Sequence, residues 1–149
     1  MGATESGVFE VRVPSKMEAL AEIQKLVDQA SVAFGLDEEL SHWIELSVNE
    51  SAINAILHGN RLDESKDVLL RISSDGKSIE VIVEDHGEGF QLADVPDPTD
   101  VENLLKPGGR GILIIQSFMD KVEVTRRPGG GSRLRMVKKI QDGEARVAD

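Results

Sequence analysis

Residues 46–59 (LSVNESAINAILHG) combine a helical apolar pattern with a line of polar side chains. Apolar residues recur at spacings of three and four, and Gly59 is a helix stop, so the pattern predicts the end of a largely buried helix. At about 100° per residue, one band of this helix is polar and contains Ser47, Glu50, Asn54 and His58. A carboxylate and a carboxamide therefore point together at something other than the apolar core.

Glu50 and Asn54 lie one helical turn apart, and two explanations fit this spacing. They can form an exposed pair on a surface helix, which is the commoner role of such residues. Alternatively, they face a bound ligand with metal and water, because a buried polar group without a partner costs on the order of 1 to 3 kcal/mol. The helix alone leaves both explanations open.

Composition and charge exclude several classes of function. The 149 residues suffice for one domain whose core needs neither disulfides nor a structural metal. The absence of cysteine excludes a disulfide scaffold, a zinc–thiolate site and thiol catalysis. The formal net charge of -10 argues against general nucleic-acid binding, because that function needs a field that attracts phosphates.

Membrane and export signals are not expected either. No stretch approaches the roughly 18 apolar residues that a membrane span needs. Residues 1–7 lack a basic region followed by an apolar run, which a secretory signal would show. We therefore expect a soluble, cytoplasmic protein that binds neither membranes nor nucleic acid.

Hydrophobic periodicity predicts one strand and two helices in the first part of the chain. Residues 8–13 alternate between apolar and polar side chains, which predicts a half-buried strand. Ser15 and Glu18 form a capping-box signature for a first helix, and Asp37 is the predicted N-cap of the second. The first helix carries an apolar stripe made of Met17, Leu20, Ile23, Val27, Ala30 and Phe34.

The second part of the chain predicts two hairpins. Residues 68–73 and 79–84 are strands joined by an Asp-Gly turn at 74–77, and residues 122–126 and 133–139 are strands around the glycines of 128–131. A short third helix is predicted at 112–119. We expect one α+β domain over residues 8–140, a two-layer sandwich of a mixed, mostly antiparallel sheet with helices on one face. Residues 1–7 and 141–149 are predicted to be flexible.

Three short motifs follow one another at the predicted element ends. They are Glu50-x-x-x-Asn54 on a helix, Asp85-x-Gly87-x-Gly89 after a strand, and Gly109-Arg110-Gly111 at the start of a helix. In this order they resemble the N box and the two glycine boxes of the GHKL ATP-binding superfamily, over roughly residues 8–140. Residues 51–59 and 117–122 are most similar to the anti-sigma factor serine kinases of bacterial partner switching, the RsbW-like group.

The resemblance implies a role for each motif. Asp85 would accept a hydrogen bond from the exocyclic amine of adenine, and Asn54 would bind Mg²⁺. Glu50 would accept the proton of an incoming hydroxyl as the γ-phosphate is transferred. Further contacts to ATP or ADP would come from Gly87, Gly89, Lys106, Gly108, Gly109, Arg110, Gly111 and Ser132.

The resemblance also implies partners. The substrate would be a serine of an anti-anti-sigma protein with a STAS fold, a sigma factor would be the second partner, and the kinase would be a homodimer. One alternative is a nucleotide-gated protein that exchanges partners without appreciable phosphotransfer, and another is a GHKL module that serves a larger signalling assembly. The presence of Glu50 favours the kinase, because binding alone needs no base there. The arginines of the last hairpin have two explanations, an acidic partner or a solvated sheet face; they are Arg126, Arg127, Arg133 and Arg135.

Overall fold

The computed structural model describes residues 7–87 and 115–140. The described chain contains five strands, which are β1 (Gly7–Pro14), β2 (Asp67–Ser74), β3 (Ser78–Glu84), β4 (Lys121–Arg126) and β5 (Ser132–Lys139). Its two long helices are α1 (Leu20–Ala33), which follows a 3₁₀ turn at Met17–Ala19, and α2 (Glu38–Ile53). The helix α2 continues directly into a π-helical segment, Asn54–Gly59. Residues 115–118 are also helical, within the stretch predicted as the third helix.

The strands form one sheet in the order β1-β2-β3-β5-β4, and every pairing among them is antiparallel. The predicted hairpin between β2 and β3 is present, with Gly76 in the left-handed region at φ 89°. Asp75 Oδ1 accepts the backbone N–H groups of Lys77 and Ser78, each at 2.8 Å. This turn therefore supplies its own side-chain cap, as Asp-Gly turns commonly do.

The core lies between the two helices and one face of the sheet. Alternation along the strands places Val11, Leu70, Val83 and Leu134 side by side on that face. The buried residues of the α1 stripe are Ile23, Val27, Ala30 and Phe34. On α2 and its π-helical extension, the predicted core side is also buried, namely Ile44, Val48, Ala52 and Ala55. The predicted two-layer α+β sandwich with helices on one face is confirmed.

The opposite face of the sheet carries charged side chains that are cross-linked by ion pairs, together with Leu69 and Ile82, which are each 5% exposed. Arg135 contacts Glu123 on β4 at 2.8 Å and also Glu80 on β3. Arg133 contacts Glu84 at 3.0 Å. These pairs are partly exposed, so each contributes on the order of 1 kcal/mol or less. For Arg133 and Arg135, pairing within the sheet favours the sheet-face explanation over an acidic partner.

The two predicted helix caps have different outcomes. Asp37 caps α2 as predicted, since its Oδ1 accepts the N–H of Leu40 at 2.7 Å. The predicted capping box at Ser15 is wrong, because the 3₁₀ turn before α1 has no side-chain cap. The Ser15 hydroxyl is buried instead, where it donates to the carbonyl of Lys66 and accepts from Asn60 Nδ2. A long-range partner has replaced the local cap.

Met17 is the exception in the apolar stripe, with 40% of its surface exposed. It lies in the 3₁₀ turn that precedes α1, where the tighter winding changes which face a residue shares. Among the described residues, no helix is long and apolar enough to span a membrane.

Two valines of α1 test whether this helix is held by its buried stripe. Val27 is 1% exposed and Val32 is 83% exposed. Val27→Ala should lower the free energy of unfolding by about 2 kcal/mol, through lost burial and a residual cavity. Val32→Ala, the same change on the solvent side, should alter it by less than about 0.5 kcal/mol. Urea unfolding of both variants measures the difference, and equal effects would contradict the described packing of α1.

Candidate functional site

Asp85 lies directly after β3 and is 3% exposed. Its Oδ1 accepts the backbone N–H groups of Gly87 at 3.0 Å and of Ser132 at 3.2 Å. Its own N–H donates to the carbonyl of Ser132 at 3.0 Å. The end of β3 and the start of β5 thus hold this carboxylate together.

Burial raises the pKa of the Asp85 carboxyl above its ordinary value. The N–H groups of Gly87 and Ser132 and the charge of the Arg127 guanidinium act in the opposite direction, and burial outweighs them. A carboxyl group held in a desolvated cleft with a perturbed pKa is typical of a functional site.

Three glycines surround Asp85 at distances that exclude any side chain. A Cβ on Gly59 would lie 2.3 Å from Asp85 Oδ2, and a Cβ on Gly87 would lie 1.6 Å from the carbonyl oxygen of Gly59. A Cβ on Gly131 would lie 2.0 Å from the carbonyl oxygen of Asp85, and Gly131 also has a φ of +100°. Backbone from three separate segments is therefore packed closely around Asp85, and the Gly59 backbone lies directly against its carboxylate.

The polar band of α2 is unevenly exposed. Ser47 is buried, Glu50 is half-buried and His58 is exposed. Asn54 is 6% exposed, and its side chain forms no hydrogen bond with any other described residue. The carboxylate of Glu50 likewise has no ion pair or hydrogen bond within the described part of the chain. Both groups named in the predicted motif are therefore available to a ligand.

His58 is more exposed than the other residues of the polar band because the helix geometry changes after Asn54. The prediction extrapolated about 100° per residue along the whole stretch. The structure is π-helical from Asn54 to Gly59, and the N–H of Asn60 donates to the carbonyl of Ala55, five residues earlier, at 2.8 Å. Each residue then advances the helix by a smaller angle, so a residue after Asn54 no longer continues the α-helical line.

Asn54, Asp85 and Ser132 line one cavity between α2 and the sheet. Its other described walls are Ser51, Ala55, Val83 and Leu134. Four of these seven residues are polar, and the space that they enclose, about 10 Å³, has room for one water molecule. Glu50 is not among the lining residues of this cavity.

The structure describes only part of the predicted site. Gly87 packs against Gly59 at the rim of the Asp85 pocket. The remaining predicted ligand contacts lie outside the described residues, namely Gly89, Lys106, Gly108, Gly109, Arg110 and Gly111. The phosphate-binding roles of these residues stay predictions.

Sequence reasoning missed four residues around the carboxylate. Gly59 and Gly131 were interpreted as a helix stop and part of a turn, although the run of three glycines at 129–131 signalled a close approach. Arg127 Nη1 donates to the carbonyl of Asp85 at 2.9 Å. Asn60 Oδ1 accepts the N–H of His86 at 2.8 Å. No local signal marks Asn60 and Arg127, because their partners lie far away in sequence.

The described residues fit an adenine nucleotide. Asp85 offers an acceptor in a desolvated pocket whose glycine walls leave no side chain against it, and Asn54 presents an unpartnered, buried carboxamide to the same cavity. Within residues 7–87 and 115–140, no cluster of three or more His, Asp or Glu side chains could hold a metal. Mg²⁺ would therefore depend on Asn54 together with phosphate and water oxygens, a coordination that this ion accepts readily.

Comparison with known proteins extends these observations. Residues 13–138 match the family described as a histidine kinase-like ATPase domain. The chain is 35% identical over 105 residues to an anti-sigma F factor of Clostridium perfringens, covering 69% of this chain and 74% of that protein. It is 25% identical over 147 residues to the serine-protein kinase RsbW of Oceanobacillus iheyensis, covering 95% and 92% of the two chains.

Two solved structures share the fold. One contains the RsbU and RsbW domains of a Mycobacterium tuberculosis protein, with a TM-score of 0.64 and 12% identity; the match covers 89% of this chain and 31% of that one. The other is the histidine kinase domain of a blue-light-activated kinase from Erythrobacter litoralis, with a TM-score of 0.56 and 23% identity, covering 100% and 69%. The chain therefore belongs to the histidine kinase-like ATPase domain family, as its motifs predicted, and its relatives include proteins named as anti-sigma factors and as serine-protein kinases.

Proposed function

We propose that this protein is an ATP-dependent protein serine kinase and anti-sigma factor that phosphorylates an anti-anti-sigma protein of the STAS fold. The observation that carries the proposal is the convergence of Asn54, Asp85 and Ser132 on one cavity in a member of this ATPase family. Relatives named anti-sigma F factor and serine-protein kinase RsbW support the choice of activity and partners.

Asp85 would select the base. Its carboxylate only accepts hydrogen bonds, so it favours the exocyclic amine of adenine, which donates. Guanine presents a carbonyl oxygen at the equivalent position, and two facing acceptors repel each other. Gly59, Gly87 and Gly131 would let the surrounding backbone pack closely around Asp85 and so hold its carboxylate in place.

Asn54 and Glu50 would act on the phosphate side. Bound ATP supplies the phosphoryl group, and Mg²⁺ neutralises charge on the phosphates. Asn54 would hold the ion through its amide oxygen, which fits its buried position without a partner in the described chain. Glu50, half-buried and unpaired among described residues, would accept the proton of the substrate serine hydroxyl.

Further parts of the proposal lie beyond the cavity. Gly87, Gly89 and the group made of Lys106, Gly108, Gly109, Arg110 and Gly111 would complete the nucleotide contacts. The functional domain would span residues 8–140, with flexible flanks at 1–7 and 141–149, and would act in the cytoplasm. We expect a homodimer contact at β1, which is an edge strand of the sheet, and at α1.

A second function, a nucleotide-gated binder without phosphotransfer, is favoured by one observation. Glu50 does not line the cavity that contains Asn54, Asp85 and Ser132. A protein that only holds nucleotide and exchanges partners would need the cavity and not the base. The two functions share Asp85 and Asn54 and differ in the role of Glu50.

The buried Asp85 predicts a characteristic pH dependence of stability. Because its pKa is raised in the folded state, the folded protein binds this proton more tightly than the unfolded chain does. The ionised form therefore destabilises the nucleotide-free protein at neutral pH, and this cost disappears as pH falls through the raised pKa toward the ordinary 3.8. Asp85→Asn should accordingly be more stable relative to wild type at pH 7 than at pH 4, measured by urea unfolding across that range.

Asp75 is the matched control for the pH series. Its backbone hydrogen bonds from Lys77 and Ser78 lower its pKa in the exposed turn. It therefore stabilises the fold above pH 3.8, and this contribution is lost as pH falls through its lowered pKa. Asp75→Asn should lose stability relative to wild type at pH 7 and show the opposite trend on acidification. The same trend in both variants would contradict the assigned environment of Asp85.

Nucleotide binding should be selective for adenine and should depend on Asp85. ADP with Mg²⁺ should raise the melting temperature of wild type. At a hundredfold excess of ADP over its Kd, the free energy of unfolding should increase by about 2.7 kcal/mol. GDP should have a much smaller effect. Asp85→Asn should lose the preference for ADP, because an amide can both donate and accept, while Asp75→Asn should keep it. Thermal shift and calorimetric titration provide the measurement, and retained selectivity in Asp85→Asn would remove this carboxylate from the proposal.

Substitutions in α2 separate the two functions. Glu50→Gln should keep ADP affinity and lose at least about a hundredfold in phosphotransfer, since it removes only proton acceptance. Asn54→Ala should weaken both Mg²⁺-dependent binding and transfer. Glu45→Gln and Asn49→Ala, on the same helix, should change neither. The assay follows phosphoserine on candidate STAS proteins with labelled ATP. If wild type binds such a partner and transfers no phosphate, the nucleotide-gated binder is the better description.

A further inference from the structure

Asn60 is a buried polar residue with an unusual set of partners. It is 1% exposed and directly follows the π-helical segment. Its Oδ1 accepts the N–H of His86 at 2.8 Å. Its Nδ2 donates to Ser15 Oγ at 2.7 Å and to the carbonyl of Asp67 at 3.0 Å. One side chain therefore joins the end of the π-helical segment to the turn after β1, the start of β2 and the second residue after β3.

The neighbours of this side chain form the wall and the floor of the Asp85 pocket. Gly59 precedes Asn60 and lies so close to Asp85 Oδ2 that a Cβ would be 2.3 Å from it. His86 follows Asp85, and its N–H donates to Asn60 Oδ1. The bond from His86 to Asn60 therefore fixes the distance between the Gly59 backbone and the carboxylate. On the other side, Asp85 is bound to Ser132 through its own N–H.

We propose that Asn60 is a positioning residue for base selectivity, which holds the Asp85 carboxylate against Gly59 and thereby sets the preference for an adenine over a guanine nucleotide. This inference rests on the proposed nucleotide site and adds a residue to it. Asn60 is not among the residues that line the cavity beside Asp85. It acts through the backbone of His86. Repulsion between the carboxylate and the carbonyl oxygen of guanine gives selectivity only if the carboxylate is held in place and cannot move away.

The side chain has two separable functions. Its donor half, Nδ2, joins Ser15 and Asp67 and holds the ends of β1 and β2 together. Its acceptor half, Oδ1, holds His86. Ser15→Ala removes a partner of the donor half without touching His86. Asn60→Asp keeps an acceptor for His86 and loses the donors, whereas Asn60→Ala removes both halves.

The experiment measures the ratio of the Kd for GDP to the Kd for ADP at pH 8, together with stability in urea, for wild type and these variants. All three substitutions should reduce stability. Asn60→Ala should also lower the selectivity ratio, by about three- to tenfold, the usual effect of one hydrogen bond. Ser15→Ala should leave the ratio at its wild-type value. Asn60→Asp should also show the wild-type ratio, in contrast to Asn60→Ala. A purely structural role would weaken ADP and GDP binding equally and would leave the ratio unchanged in every variant.

Two outcomes overturn the inference, namely an unchanged ratio in Asn60→Ala or a lost ratio in Asn60→Asp. If Asn60→Ala does not fold, the Asn60→Asp ratio and hydrogen exchange of the His86 amide in nucleotide-free wild type decide the question. Positioning requires that this amide already exchanges slowly before nucleotide is added. Failure of the proposed function has a different signature, because wild type itself would then show no preference for ADP and Asp85→Asn would change nothing.

Discussion

A carboxylate removed from water is the constraint on which the described structure depends. Burial raises the pKa of Asp85, and the ionised group is tolerated only because the N–H groups of Gly87 and Ser132 and the charge of Arg127 oppose that effect. Ser132 is the first residue of β5. It reaches Asp85 because β5 pairs with β3 on one side, in addition to β4 on the other. The Asp85 pocket therefore depends on the long-range order of the sheet, because Ser132 reaches Asp85 only where β5 lies beside β3.

The glycines show what that arrangement requires of the sequence. Gly59, Gly87 and Gly131 come from the end of α2, the loop after β3 and the turn between β4 and β5, and each lies where a Cβ would overlap backbone or the carboxylate. Each glycine also costs about 0.5 to 1 kcal/mol in backbone entropy relative to alanine. Three glycines around one desolvated carboxylate lower the stability of this region. Such a local loss of stability is typical of a ligand-binding site.

Local features were predictable from sequence, and features with distant partners were not. The strand alternation, the Asp75 turn and the Asp37 cap were found because each depends on residues within a few positions. The Ser15 cap was wrong because its hydroxyl binds the carbonyl of Lys66, 51 residues away, which no local pattern reports. The same limit separates the site residues. Asp85 could be found from its motif, whereas the contribution of Asn60 depends on a fold that joins four segments.

The π-helical segment explains how one helix contributes two unlike groups to the same pocket. Asn54 lines the cavity beside Asp85, and Gly59, five residues later, lies against the Asp85 carboxylate. In an α-helix, residues five apart point about 140° away from each other, so one of the two would face elsewhere. A π turn stacks residues that are five apart, as the bond from the Asn60 N–H to the Ala55 carbonyl shows. The widened turn therefore brings the proposed metal ligand and the glycine wall of the Asp85 pocket to one side, which a regular continuation of α2 would not achieve.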